Sequence, residues 1–137
     1  MRFYVATRLE NYEEQRELAR RLISAGHRQT YDWTVGLENV FAGTFADLWQ
    51  LKSEHQMHTT GLAELQGVTS ADLVVAILPG GRGTHVELGI ALGSGATVVL
   101  VTPPGFEMAV PFYRAADFLV TQEGDWMGRV VEAIEEA

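Results

Sequence analysis

The stretch that most constrains this chain is Ala71 to Thr102, ADLVVAILPGGRGTHVELGIALGSGATVVLVT. An apolar run, Leu73 to Leu78, meets Pro79-Gly80-Gly81-Arg82-Gly83. A helical pattern then opens at Thr84 and closes at Gly93 and Gly95, and a second apolar run follows at Val98 to Val101. Short β-branched runs without polar alternation read as strands buried on both faces, and about three helical turns between two of them make a parallel crossover rather than a hairpin. Open parallel sheets take ligands at the carboxyl ends of their strands, so the glycine-rich loop after the first run is the expected site.

Two properties of that loop bear on chemistry. Its glycines let a ligand approach the main chain, and the free N–H groups of the helix that follows favour negative charge. Glu87 sits near the start of that helix, and a first-turn position predicts that the helix dipole favours its ionised, nucleophilic form. The same residues fit a second pattern: Thr84-His85-Val86-Glu87 has the spacing of a capping box, with Glu87 reaching back to the Thr84 N–H. On spacing alone the cap and the nucleophile both stand. Gly89 and Gly93 are expected to let the helix lie close on the sheet.

The run AD-LVVAIL-PGG-RGTHVELGIALGSG resembles the nucleoside 2-deoxyribosyltransferase family and its sister deoxynucleotide N-hydrolases, marked by an apolar strand, a Gly-rich loop and an ELG-x-A helix. Pro79 to Glu87 is also similar to the PGG-x-GT-x-x-E motif of the cytokinin-activating phosphoribohydrolases, although the Arg-Lys pair that family carries ahead of its third strand is not seen in Gly61 to Ser70. Both families break N-glycosidic bonds. The first resemblance implies that Glu87 attacks the anomeric carbon, that Tyr4 on the first strand holds Glu87, and that an acidic residue eight positions before Asp72 acts beside it. Here that residue is Glu64, where the family usually has Asp. It also implies a small-molecule nucleoside or nucleotide as substrate and a homodimer or higher oligomer. One departure concerns base exchange: the free-nucleoside transferases have an Asp six positions before the nucleophile, and this chain has Gly81.

A length of 137 residues suits one domain, 1–137, with a single sheet covered by helices. A formal charge of −8 argues against a nucleic-acid polymer or an anionic membrane as partner, while a small anion remains compatible with local geometry. With no Cys there are no disulfides and no thiolate chemistry. No spanning segment or signal peptide is legible, so the expected location is cytoplasmic. No cofactor is expected. His55 and His58 have a metal-like spacing without a third ligand nearby, and no metal is assigned.

The remaining elements follow from periodicity. Arg2 to Ala6 reads as a strand. Tyr12 to Ala25 reads as a helix with Leu18, Ala19, Leu22 and Ile23 on its buried stripe, and Arg28 to Tyr31 as a short second strand. Thr34 to Gly43 has no period and reads as a mobile loop. Thr44 to Val68 reads as a helix with a break at Gly61. Ala116 to Thr121 is a fifth strand and Asp125 to Ala137 a closing helix, with Trp126, Val130, Val131 and Ile134 inside. The expected fold is an α/β three-layer sandwich with a five-stranded parallel sheet in order 2-1-3-4-5, flavodoxin-like or Rossmann-like. Around the loop the expected substrate-binding positions are Ala6, Thr7, Arg8, Asp32, Trp33, Pro79, Gly81, Arg82, Gly83 and Thr84. Arg82 with Gly83 and Thr84 would take a 5′-phosphate, and Trp33 would stack on a base. Phe45, Trp49 and Met57 are the expected contacts between subunits. Two other readings remain open on these residues: a nucleotide-sensing domain in which Glu87 is only a cap, and an assembly protein.

Overall fold

The computed structural model describes residues 1–35 and 53–137. In chain order the elements are β1 (Arg2–Ala6), a 3-10 turn (Leu9–Asn11), α1 (Tyr12–Ser24), β2 (Arg28–Gln29), α2 (Glu54–Thr69), β3 (Leu73–Ile77), α3 (Arg82–Ser94), β4 (Thr97–Thr102), a second 3-10 turn (Pro111–Ala115), β5 (Phe118–Thr121) and α4 (Trp126–Glu135). The sheet order is β2-β1-β3-β4-β5, and every pairing is parallel. This is the expected α/β Rossmann-like architecture.

The three central strands are apolar over residues 3–6, 73–77 and 98–101 because both sheet faces are covered there. Phe3, Val5, Val75, Ile77, Val99 and Val101 point to one face and pack with Leu18 and Leu22 of α1 and Val130 and Ile134 of α4. The intervening Tyr4, Ala6, Val74, Ala76, Val98 and Leu100 point to the other and meet Val68 of α2 and Leu88 and Ala91 of α3. Period-2 alternation assigns successive residues to opposite faces, so continuous burial demands continuous hydrophobicity. Each fully buried aliphatic side chain contributes roughly 1.5–3 kcal/mol. Asp72, just ahead of β3, ties the amino ends of β1 and β3 together by accepting from the Arg2 N–H at 3.0 Å and pairing with its guanidinium at 3.2 Å.

Several boundaries and orientations differ from expectation. β2 is only Arg28–Gln29, shorter than the run to Tyr31. Ile23 is 53% exposed, and the fourth buried position on α1 belongs instead to Gln15. The helix containing Gly61 is unbroken, and Glu54 to His58 is its opening turns, capped by the reciprocal hydrogen bonds of Ser53 and Gln56 at 3.1 and 2.8 Å. His55 and His58 are exposed there. Gly89 and Gly93 face outward, with nothing near the place a Cβ would take, so they do not set the helix on the sheet. The loop expected over 36–43, the early helical pattern from Thr44, and Phe45 and Trp49 lie outside the described residues. Among the described residues, no helix is long and apolar enough to cross a membrane.

Candidate active site

The carboxyl ends of β1 and β3 diverge where the strand order reverses, and a cleft of about 530 Å³ opens there. One wall is the loop from β3 into α3. Gly80 in it is dictated by a close approach: a Cβ there would lie 2.5–2.6 Å from the Thr84 side chain. Thr84 is in turn fixed by accepting the Gly81 N–H at 3.1 Å. Gly80→Ala is therefore expected to displace this turn, costing about 1–3 kcal/mol in a denaturant melt and weakening any ligand held by the loop.

On the outer side of the loop, the Gly81 carbonyl accepts from His85 Nδ1 at 2.8 Å. Since a carbonyl only accepts, the proton of the neutral ring sits on Nδ1, and Nε2 accepts from the Tyr113 hydroxyl at 2.6 Å.

Glu87 forms the inner end of the cleft. α3 begins at Arg82 with Gly81 as N-cap, two residues earlier than the pattern from Thr84, so Glu87 lies in the second turn and not the first. This removes the capping-box reading, because Thr84 bonds Gly81 and not Glu87. It also overturns the expectation of a carboxylate kept ionised by the helix dipole, an effect that fades beyond the first turn. Glu87 is 9% exposed, its Oε2 has no hydrogen-bond partner among the described residues, and burial pushes its pKa up to about 8. The Tyr4 hydroxyl opposes that rise and the Glu64 charge adds to it. At neutral pH the resting carboxyl is mainly protonated.

Tyr4 is wholly buried on β1 and its hydroxyl faces the Glu87 carboxyl. The two groups are close enough for each to shift the other, yet short of hydrogen-bond geometry, and the Tyr4 hydroxyl has no partner among the described residues. Burial first, then the Glu87 charge, drives the phenol pKa upward, so it stays a neutral donor. The other side of the Tyr4 ring is set by Gly67 of α2, where a Cβ would stand 3.2 Å from two ring carbons and 2.8 Å from the Tyr31 Cβ. Only a glycine lets the helix come this close.

Glu64 enters the cleft from α2, three residues before Gly67, and shares that wall with Met57, Thr60 and Gly61. None of these three was expected in the cleft, Met57 having been expected between subunits. Their signal was the helical spacing of Met57, Gly61 and Glu64 on one stripe, hidden by the supposed break at Gly61. The opposite wall comes from the segment after β1. Thr7 donates its hydroxyl to the Ile77 carbonyl at 2.8 Å and accepts the Asn11 amide at 3.0 Å, so it braces the rim as well as lining it. Arg8 lines the rim too, with Glu10, another residue the sequence reading passed over. Trp33 closes the cleft, its indole N–H fixed on the Val5 carbonyl at 2.8 Å.

Of the other expected positions, Gly81, Arg82, Gly83 and Thr84 line the cleft. Three do not line it. Ala6 is wholly buried within the sheet. Asp32 turns away to cap its own bend, accepting the Thr34 N–H at 2.9 Å. Pro79, joined to Leu78 by a cis peptide, offers only its carbonyl, to Asn11 at 3.4 Å.

No protein-family model matches the sequence. No curated protein matches it either. Solved structures do. The CMP N-glycosidase BcmB of Clostridium botulinum superposes with a TM-score of 0.56 at 13% identity, covering 100% of both chains. The 2-deoxyribosyltransferase of the psychrotolerant bacterium Bacillus psychrosaccharolyticus superposes with a TM-score of 0.65 at 19% identity, over 95% of this chain and 90% of that one. The chain has the fold of these two proteins.

Proposed function

Starting from a fold that an N-glycosidase and a 2-deoxyribosyltransferase have in common, we propose that this protein cleaves or transfers at the N-glycosidic bond of a nucleoside or nucleoside 5′-monophosphate, with Glu87 as nucleophile. The observation that carries this reading is the Glu87 carboxyl itself. It is desolvated and uncapped, has an unpartnered oxygen, and stands at the inner end of a cleft large enough for a nucleotide.

The reaction follows retaining glycosyl chemistry. A Glu87 oxygen bonds to C1′ as the C1′–N bond breaks, and the proton on Glu64 goes to the departing base. Water, or a second base, then attacks C1′, Glu64 takes the proton released, and Glu87 leaves. Tyr4 is a positioning residue, its neutral hydroxyl set against the charge that Glu87 carries in the reactive arrangement. Arg82 and the N–H groups at the start of α3 take the 5′-phosphate, and Trp33 flanks the base. The assembly is a homodimer or higher, which sedimentation at micromolar concentration tests directly.

The deciding experiment is intact-mass spectrometry after brief mixing with a panel of nucleosides and their 5′-monophosphates. A sugar or sugar-phosphate adduct that maps to Glu87 is expected. Steady release of free base with no adduct, even under rapid quench, and unaltered release in Glu87→Gln would remove Glu87 as nucleophile. Tight nucleotide binding without any base release would favour a sensing domain instead.

A further inference from the structure

Glu10 stands in the cleft and has no part in the chemistry above. Its Oε2 lies 3.4 Å from Arg8 Nε, and both side chains line the cleft. Arg8 also abuts the glycine-rich loop, its Cβ 4.0 Å from the place a Cβ would take at Gly81. Arg82 borders the same cleft from the first position of α3, and its guanidinium makes no ion pair or hydrogen bond among the described residues. The two cations beside the loop are thus unlike: one is uncommitted, the other is held by a carboxylate two residues along its own turn.

The side chains of Arg8 and Glu10 are 41% and 52% exposed. Such a pair is held by roughly 0–1 kcal/mol, little enough to be exchanged. A phosphomonoester offers the guanidinium fork two charge-assisted hydrogen bonds and is the stronger partner. A dianion arriving in the cleft also meets the carboxylate it has displaced.

We propose that Glu10 is a specificity-determining residue that sets how the cleft discriminates phosphorylated from unphosphorylated sugars, because a sugar phosphomonoester must take Arg8 away from it. The proposal rests on the placement of the 5′-phosphate given above. Glu10 lowers the affinity for the phosphorylated ligand below what Arg8 and Arg82 would supply together, and it leaves a neutral sugar unaffected.

The test uses ligands with no glycosidic bond to a base, so it reads binding and not turnover. Isothermal calorimetry of the intact protein with ribose 5-phosphate, inorganic phosphate and ribose is expected to show a gain for both phosphates of roughly three- to tenfold in Glu10→Gln, with ribose unchanged. Arg8→Gln should weaken both phosphates, and the Glu10→Gln gain should vanish in the double variant. Unchanged or weaker phosphate binding in Glu10→Gln overturns the proposal. So does a gain that persists without Arg8, an equal gain for ribose, or failure of ribose 5-phosphate to bind in any variant. The Glu87 adduct experiment answers separately, so the glycosidic reading and this one fail on different data.

Discussion

Glu87→Gln is expected to lower base release by about 10³-fold or more while making the folded protein more stable, and the second effect should grow with pH. The loss follows from removing the atom that bonds C1′: an amide is a poor nucleophile, and what remains is binding and positioning alone. The gain follows from linkage. The folded-state pKa of Glu87 is raised from 4.5 to about 8, so the folded protein holds this proton more tightly than the unfolded chain. The stabilisation from that proton is fully present below 4.5 and is lost progressively as pH rises to about 8.

Above that pH the native state carries a buried carboxylate at a cost of order 3–5 kcal/mol, which a neutral amide avoids. Thermal melts should show little difference between wild type and variant near pH 4.5 and a Tm advantage of about 10 °C for the variant at pH 9. Equal melts across that range would mean that Glu87 is not desolvated in the folded protein. A variant that is both dead and stabilised also separates loss of chemistry from loss of fold.

Wild-type kcat/KM is expected to be level from mildly acidic pH to about 8 and to fall above it, an unusual direction for an enzyme with a carboxylate nucleophile. The reason is that in the proposed mechanism Glu64 and Glu87 share one proton and act as a pair. Burial favours the proton on Glu87 at rest, and the proposed reaction needs it on Glu64. Both arrangements contain one proton, so pH does not alter their ratio, and only their combined population falls as that proton is lost near 8. Glu64→Gln should lower kcat/KM by about 10²–10⁴. Its residual profile should slope the other way, rising with pH as Glu87 ionises unaided, and from a somewhat lower pKa because the Glu64 charge is gone. A wild-type profile that climbs to a plateau near 8 would assign the leaving-group proton to some donor other than Glu64.

The sheet was legible because burial on both faces leaves uninterrupted runs such as Leu73 to Leu78, whose meaning survives without knowing their neighbours. The start of α3 was not, because its N-cap is Gly81, a residue with no side chain to announce a cap, while Thr84 imitates one three residues late. The charge state of Glu87 was misread for a related reason. Helix position can be counted along a chain, whereas burial, and the opposing influences of Tyr4 and Glu64, come from contacts between segments far apart in sequence. Gly89 and Gly93 misled because a glycine carries no mark of which way its face turns, and Asp32 because a polar residue at a rim serves its own bend as readily as a ligand. Glu10 gives no signal in the sequence, because a single acidic residue in the short turn Leu9–Asn11 has no periodicity to read.

The contact between Gly67 and the Tyr4 ring has a geometric outcome for the chemistry. Glu64 rides on the helix that carries Gly67, and Glu87 faces the hydroxyl at the other end of the same aromatic side chain. Tyr4 thus works as a spacer of fixed length between the helix that carries Glu64, the proposed acid, and the helix that carries Glu87, the proposed nucleophile. Because that gauge is rigid and built into the sheet, the separation of the two carboxyl groups is set before any substrate arrives. Even one added methyl group at position 67 would reset it.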